Sequence, residues 1–498
     1  MDTKNKKVRL LLDFYKEISL LGKINALLGY DTNVSLPPKG VEGRAEQTAH
    51  ITKLISEKWL DPKFRALLDS VKNVTSLTPE EKAIVRNLTW AGKYYFQVPQ
   101  KTVVEFSRIT SHAFSAWHKA RTDNNFKFYL PHLKNIISVS REIAGHLGYK
   151  DNPYDALLDM YEPELTVQKF QMVVDKLQPE LTGLVEKIAN SGRSNLAEPK
   201  SDYDIKTQEE LAKFVLTTMG YDFEAGRQDV SPHPFTETLG TQDVRITNRY
   251  KNDAFIEPIM VAMHEGGHAL YEQGVNPKYE YTPLSGGVSL GIHESQSRFW
   301  ENQVGRSKEF ISFLTPFIKS HFPQLKNISA DELYKIFNIV KPGQIRVEAD
   351  EVTYNLHIFL RFEIENALIN GKLKPENLPE IWNSKMEKYL GVTPDCDANG
   401  VLQDVHWAYG NFGYFPTYTL GNLYAAQFTA TLSKKLDVKK LCAKGELTPI
   451  LIWLRQHIHT YGSLYFPEEL CKKVTGETLD VNYFVTYLHE KYRTLYSI

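Results

Sequence analysis

The chain has 498 residues, with 59 basic and 60 acidic side chains, a formal charge of -1 and 42% hydrophobic residues. This composition is typical of a globular protein, and the balanced charge gives no reason to expect nucleic acid or an acidic membrane as a partner. No apolar run approaches the roughly 20 residues of a membrane-spanning helix, so we expect neither an anchor nor a signal peptide. The three cysteines are scattered, which favours a reducing compartment and predicts a cytoplasmic protein.

Helical periodicity dominates the chain from its first residues. Apolar residues recur at spacings of three and four from Leu10 to Leu28, which predicts an amphipathic helix. The same pattern predicts helices at about 80–118, 130–148, 166–190, 207–220, 308–320, 351–370 and 447–460. Strand alternation is scarce, and its best case is the segment 243–247, where polar and apolar residues alternate.

Few segments of the sequence have the composition of loops or linkers. Residues 282–287 and 395–421, both rich in glycine, predict ordered loops, and only 191–202 resembles a linker. Because no strong linker divides the chain, we expect residues 1–498 to form one domain. That domain should be mainly α-helical, with a small β element near the segment that carries the strongest functional signal.

That signal is a pair of histidines four residues apart, His264 and His268, with Glu265 between them. Positions i and i+4 share one face of a helix, so both imidazoles can reach one zinc ion, and the glutamate can take a proton from a water molecule. Pro258 suits a first helical turn and Gly274 a helix end, so the context is helical. The alternative is that two histidines merely fall four apart in a core helix.

The two glycines inside this motif, Gly266 and Gly267, are informative in themselves. Each costs a helix interior about 1 kcal/mol relative to alanine, so a purely structural helix gains nothing from them. They predict that substrate or a neighbouring segment approaches the helix backbone closely.

A hydrolytic zinc site uses three protein ligands and one water, so the motif lacks one ligand. The nearby candidates are Glu272, Glu294 and Glu301. A further helical turn carries Glu272 away from the metal. Glu294 follows a glycine-rich loop at the start of a helix-like run and is the leading candidate for the third ligand. We expect Glu301 to support a ligand or to form a salt bridge.

Five further short motifs accompany the zinc helix. They are His233-Pro234-Phe235, Asp243-Val244-Arg245-Ile246-Thr247, His293-Glu294-Ser295-Gln296, Ile345-Arg346-Val347-Glu348-Ala349-Asp350 and Gly400-Val401-Leu402-Gln403-Asp404-Val405-His406-Trp407. In this order they resemble the M32 family of thermostable, metal-dependent carboxypeptidases, and the chain length suits that family.

The resemblance implies a fold, a metal and an activity. It implies an elongated helical molecule with a deep central groove, in which a helical region of about residues 1–200 forms one wall. It implies zinc, with cobalt or manganese as substitutes, bound by His264, His268 and Glu294, and Glu265 as general acid and base. A homodimer and sequential release of C-terminal amino acids with broad specificity are implied as well.

A carboxypeptidase must recognise a terminal carboxylate, and the planar fork of arginine does this best. Arg346 and Arg245 are the two candidates. The alternative for Arg346 is a helix salt bridge to Asp350 at i+4, and for Arg245 an ion pair with Asp243 on one face of the strand. The sequence leaves open which arginine binds substrate.

Three other side chains are candidates for substrate contacts. His406 or Tyr418 would stabilise the oxyanion that forms during hydrolysis, although a lone histidine is commonly a structural group. His233 precedes a proline, which holds the backbone extended, so it contacts the peptide backbone or braces the β element.

Together these residues predict a zinc-dependent metallocarboxypeptidase. The alternative within the same chemistry is an endo-acting oligopeptidase of related zincin type. An aminopeptidase would need acidic residues to hold the free amine, and no motif supplies them. A structural zinc site would use four protein ligands and would have no use for Glu265.

Overall fold

The computed structural model describes residues 3–192 and 197–498, so the linker-like segment 191–202 falls partly outside the described residues. Within these residues the chain forms twenty α-helices and one three-stranded sheet. The prediction of a mainly helical fold with a small β element is confirmed. None of the helices described combines the length and the apolar character that crossing a bilayer requires.

The helices are numbered in chain order. They are α1 Lys6–Val34, α2 Val41–Trp59, α3 Pro62–Val71, α4 Pro79–Gln97, α5 Gln100–Thr122, α6 Phe126–Leu147, α7 Pro153–Asp159, α8 Val167–Asn190, α9 Ile205–Met219, α10 Ile256–Gly274, α11 Leu290–Arg298, α12 Lys308–His321, α13 Ala330–Phe337, α14 Tyr354–Ile369, α15 Leu378–Leu390, α16 Pro416–Ser433, α17 Val438–Lys444, α18 Thr448–His457, α19 Pro467–Thr475 and α20 Asn482–Tyr496.

Two predicted boundaries differ from the structure, and proline explains both. The periodic segment at about 80–118 is two helices, α4 and α5, which are separated at Val98 and Pro99. Proline disfavours the helical conformation of the residue before it, so periodicity continues across a break in the backbone. The loop predicted to run to Gly421 already ends at Pro416, because proline is well suited to the first position of α16.

The sheet contains the predicted strand. Its strands are β1 Gln228–Val230, β2 Thr236–Gly240 and β3 Asp243–Asn248, in the spatial order β1-β3-β2. β3 runs parallel to β1 and antiparallel to β2, with Thr236 opposite Ile246 and Glu237 opposite Arg245. Val244 and Ile246 are buried, whereas Arg245 is half-buried, so the alternation in the sequence separates two faces of the strand.

The described residues divide into two compact units, and each unit is assembled from three separate stretches of chain. Of the described residues, the first unit contains 3–92, 197–338 and 424–479, and the second contains 93–192, 339–423 and 480–498. The sheet, α10 and α11 belong to the first unit, and α14 belongs to the second. The single domain over residues 1–498, with a groove whose wall is formed by about residues 1–200, stays a prediction.

Large aromatic side chains form the core of each unit. In the first unit Trp300, Tyr271 and Phe255 are fully buried, and in the second Trp382 and Tyr154 are. Helix α10 contributes one wall of the first core, because most of its length from Pro258 to Glu272 is buried. A buried helix of this kind holds its polar side chains in fixed positions, which a metal site requires.

Candidate metal centre

Helix α10 presents both histidines of the motif on one face. The helix has Pro258 in its first turn and ends at Gly274, as the sequence predicts. The ring centroids of His264 and His268 are 4.9 Å apart, as expected for side chains on successive turns. Both rings are half-buried, and Glu265 between them is only 7% exposed.

The glycine at position 267 lets a second helix lie directly against α10. A methyl group on Gly267 would lie 2.6 Å from the backbone oxygen of Gln296 and 2.7 Å from the Cα atom of Ser297, both on α11. On Gly266 it would meet only the flexible ends of Leu216 and Met219. The expected close approach to the helix backbone is therefore made by a neighbouring segment, and that segment carries Glu294.

Replacing Gly267 with alanine should separate α10 from α11. Because the methyl group would meet backbone atoms that cannot move aside, we expect a loss of about 1–3 kcal/mol in the free energy of unfolding. Gly266→Ala is the matched control: its neighbours are side-chain ends, and alanine recovers about 1 kcal/mol of helix propensity. Urea unfolding of the two variants measures the difference, and equal stability of both would contradict the close packing.

The three predicted ligands lie close enough together to bind one metal ion. Glu294 Oε2 lies 3.8 Å from His264 Nε2 and 3.5 Å from His268 Nε2, and one donor atom from each residue lies within 4.8 Å of the other two. Bonds of about 2.1 Å at tetrahedral angles would separate zinc ligands by about 3.4 Å. Two imidazoles and one carboxylate at these spacings fit a divalent metal such as zinc.

The charges around the site favour an ionised Glu294. Burial opposes this charge, but Arg298, whose Nε donates to Glu294 Oε1 at 2.6 Å, and His264 hold the pKa of Glu294 well below its usual range. Burial lowers the pKa of His268 to about 4, despite the hydrogen bond with Glu294. A neutral imidazole and an ionised carboxylate are the forms that bind a metal.

Glu301 supports His264, which is one of the two roles expected for it from the sequence. It lies in a π-helical segment, Phe299–Gly305, that continues α11. His264 Nδ1 lies 2.9 Å from Glu301 Oε2, and Arg298 and Arg306 pair with the same carboxylate at 3.2 and 3.5 Å. Burial disfavours protonated His264, but Glu294 and Glu301 outweigh it and raise the pKa of His264 to about 8.

Glu265 is held by a residue that the sequence motifs did not single out. Thr236, at the start of β2, donates a hydrogen bond to Glu265 Oε2 at 2.7 Å. Burial raises the pKa of Glu265, against the opposing effects of His264 and Thr236. The one signal in the sequence was that Thr236 directly follows the His233-Pro234-Phe235 motif.

Arg346, in the second unit, pairs with a partner that spacing did not predict. It lies in a short 3-10 turn, Arg346–Glu348, rather than in a helix. Its Nε donates to Asp404 Oδ1 at 2.9 Å and its Nη1 to the Tyr354 hydroxyl at 2.9 Å. Asp350 instead accepts backbone amides, including that of Thr353, so the expected alternative of a helix salt bridge is wrong.

Two arginines share the carboxylate of Asp404. Arg361, on α14, donates from Nε to Asp404 Oδ2 at 2.7 Å and is fully buried, while Arg346 is 5% exposed. Burial opposes ionisation of Asp404, but the two guanidinium groups hold its pKa well below the usual range. These three groups together carry one more positive than negative charge.

His406 and Tyr418 lie together in the second unit. His406 Nε2 is 3.3 Å from the Tyr418 hydroxyl, and its buried Nδ1 has no hydrogen-bond partner among the described residues. Burial and the nearby Arg346 lower the pKa of His406 to about 3. The imidazole is therefore neutral at physiological pH and can donate one hydrogen bond.

The remaining candidates, Arg245 and His233, belong to the sheet region. Arg245 forms two hydrogen bonds with Asp243, at 2.8 and 2.9 Å, and its guanidinium lies 5.2 Å from the Tyr30 ring. The side chain of His233 is exposed, and its carbonyl accepts a hydrogen bond from Ser231. Neither side chain contacts the three ligand residues in the described part of the chain.

Comparisons with known proteins agree with this geometry. The model of the carboxypeptidase Taq (M32) metallopeptidase family matches residues 11–492. The chain belongs to the M32 family. Thermostable carboxypeptidase 1 of Pyrococcus furiosus is 41% identical over 98% of this chain and 99% of its own length. Thermostable carboxypeptidase 1 of Thermus thermophilus is 41% identical over 98% of each chain.

Solved structures of M32 proteins have the same fold as this chain. The crystal structure of the M32 carboxypeptidase from Deinococcus radiodurans R1 superposes with a TM-score of 0.96 at 34% identity, covering 99% of this chain and 100% of the other. The predicted family membership is confirmed. The protein is an M32 carboxypeptidase, a peptide hydrolase, and His264, His268 and Glu294 form its metal-binding group.

Proposed function

We propose that this M32 protein is a zinc-dependent carboxypeptidase that releases C-terminal amino acids one after another from peptides of varied sequence. The observation that carries the proposal is the meeting of His264 Nε2, His268 Nε2 and Glu294 Oε2 beside the buried carboxylate of Glu265. Three ligands suit a hydrolytic rather than a structural zinc site, because a fourth position is left for water.

Glu265 would move the proton in this reaction. Zinc, when bound by the three ligands, supplies the electrophilic polarisation of a water molecule and of the scissile carbonyl. Glu265 takes the proton of the water and delivers it to the leaving amine. Thr236 holds one carboxylate oxygen of Glu265, which leaves the other oxygen for this transfer. Burial raises the pKa of Glu265, which makes its carboxylate a stronger base toward the proton of the water.

Arg346 is the proposed anchor for the terminal carboxylate of the substrate. Asp404 lies between Arg346 and Arg361, so one buried positive charge is not balanced within this group. A buried charge of this kind is costly unless it is paired, and a substrate carboxylate would pair it. The remaining N–H groups of the planar guanidinium suit a carboxylate geometrically.

Arg245 is less suited to this role, although it lies in the same unit as the metal group. Side chains alternate between the faces of a strand. Thr236, which contacts Glu265, lies opposite Ile246, whereas Arg245 lies opposite Glu237 and therefore on the other face. Its guanidinium is also paired with Asp243.

His406 and Tyr418 are proposed to stabilise the oxyanion of the transition state. The neutral imidazole and the phenol each offer a hydrogen-bond donor. Hydrogen bonds from such donors become stronger as negative charge develops on the carbonyl oxygen of the substrate. A contact between the exposed His233 and the peptide backbone stays a prediction.

Cleavage of matched peptides tests the proposed direction of action. A peptide with a free C-terminus should lose residues one at a time, and its C-terminally amidated twin should be cut at a rate lower by at least about 30-fold, because a pairing worth about 2–5 kcal/mol is lost. Mass spectrometry over time separates the products. Equal cleavage of the two peptides, or fragments from internal bonds, would favour the endo-acting oligopeptidase instead.

The metal and the assembly are further parts of the proposal. We propose one zinc ion per chain, with cobalt or manganese able to replace it, because imidazole and carboxylate ligands accept all three. Elemental analysis of the purified protein identifies the metal. The homodimer stays a prediction that sedimentation equilibrium can test.

A further inference from the structure

His293 lies between a metal-binding histidine and a buried carboxylate, a position that the proposed reaction does not use. His293 Nδ1 is 2.6 Å from His268 Nδ1, and His293 Nε2 is 2.9 Å from Glu272 Oε1. Glu272 lies one helical turn beyond His268 on α10 and is 5% exposed. The three side chains therefore form a continuous hydrogen-bonded chain that ends at the metal-binding group.

The direction of each hydrogen bond follows from the position of His268 in that group. Its Nε2 faces Glu294 Oε2 at 3.5 Å and must offer a lone pair to a metal, so neutral His268 carries its proton on Nδ1. This proton is donated to His293 Nδ1, which must then be the unprotonated nitrogen. Neutral His293 carries its proton on Nε2 and donates it to Glu272. Only this arrangement satisfies both contacts with neutral imidazoles.

The surrounding loop is shaped to hold His293 in this place. A methyl group on Gly287 would lie 2.6 Å from His293 Cδ2, so only glycine lets the loop pack against the ring. The amide of Gly287 donates to Glu272 Oε1 at 2.9 Å. The Tyr271 ring lies 5.3 Å from the His293 ring. The glycine-rich segment 282–287, predicted as an ordered loop, thus packs against His293 and Glu272.

We infer that His293 and Glu272 are positioning residues that fix the ring orientation and tautomer of His268 for metal binding. The other histidine is supported differently, because His264 Nδ1 contacts Glu301 directly at 2.9 Å. Partners of this kind strengthen metal binding by holding a ligand ready, and their loss weakens affinity by about 10–100-fold. The inference rests on the proposed metal site, but it concerns affinity rather than peptide hydrolysis.

Substitution of His293 tests the inference through metal affinity. His293→Phe keeps the size of the ring and removes the acceptor, so we expect the dissociation constant for Zn²⁺ to rise about 10–100-fold. In His293→Gln the amide oxygen can accept from His268 and the amide nitrogen can donate to Glu272, so affinity should recover toward wild type. Glu272→Gln keeps an acceptor but loses the charge, and an intermediate affinity is expected. Competition with a chromophoric chelator measures the zinc affinity of wild type and of the three variants.

A buried carboxylate elsewhere in the same unit provides the control for general destabilisation. Glu81 accepts hydrogen bonds from the backbone amides of Asn5 and Thr78, so Glu81→Gln should lower the unfolding temperature without changing zinc affinity. If wild type, His293→Phe and Glu272→Gln all bound zinc with the same high affinity, the inference would be overturned but the metal site would stand. A wild-type protein that binds no divalent metal would overturn the metal site and the inference with it.

Discussion

Glu265→Gln should lower kcat by about 10²–10⁴-fold while the protein keeps its metal. The residue lies between His264 and His268 but outside the group of three ligands, so its replacement leaves the donor atoms in place. Glutamine can still accept the hydrogen bond from Thr236, so the local packing should persist. Steady-state kinetics and elemental analysis of the same preparation measure the two outcomes together.

A second glutamate on the same helix gives a matched control. Glu257 lies in the first turn of α10, where it pairs with Arg249 and Lys251. Glu257→Gln removes the same charge from the same helix, and kcat should stay close to wild type. If Glu265→Gln turned over substrate nearly as fast as this control, Glu265 would not be the general base.

Arg346→Ala should reduce kcat/KM by about 30- to several-thousand-fold, corresponding to about 2–5 kcal/mol for a charge partner left unpaired. As the proposed anchor, Arg346 would set the register of the scissile bond as well as bind the substrate, so KM should rise and kcat should fall together. The Arg346→Ala variant should still fold, because Asp404 keeps Arg361 as a partner.

The amidated peptide separates a binding role of Arg346 from a structural one. If Arg346 pairs with the terminal carboxylate, amidation should slow the wild type strongly and Arg346→Ala little further, because both changes remove one contact. Additive losses together with a lower unfolding temperature would mean that Arg346 only braces Asp404 and Tyr354. The parallel variant Arg245→Ala should respond to amidation as strongly as wild type does, and loss of that response would make Arg245 the anchor.

Local spacing was sufficient to predict part of the metal centre and part of the fold. His264 and His268 share a face because any helix brings positions four apart together, whatever surrounds it. The strand at 243–247 and about half of the helices follow from the period of their apolar residues, which is also a local property of each segment. Where proline interrupts the backbone, as between α4 and α5, the apolar period continues although the helix does not, so periodicity placed that boundary wrongly.

The third ligand shows where local spacing stops being informative. Glu272, Glu294 and Glu301 were all within reach in the sequence, and their roles depended on how the following segments pack. α11 lies against α10 at Gly267, and this contact brings Glu294 to the two histidines. Glu301 then contacts His264 Nδ1. Glu272 instead accepts a hydrogen bond from His293. The glycine doublet indicated a close approach but did not say which segment approached.

The amino-acid sequence by itself determined the family, the helical character and the motif that holds the two histidines, because each depends on residues a few positions apart or on short motifs. Only the tertiary structure decided that Arg346 pairs with Asp404 rather than Asp350 and that Thr236 holds Glu265. These partners are 58 and 29 residues apart in the chain. No period relates such positions: their contact depends on how whole elements pack, and packing is set by the combined shape and burial of many side chains.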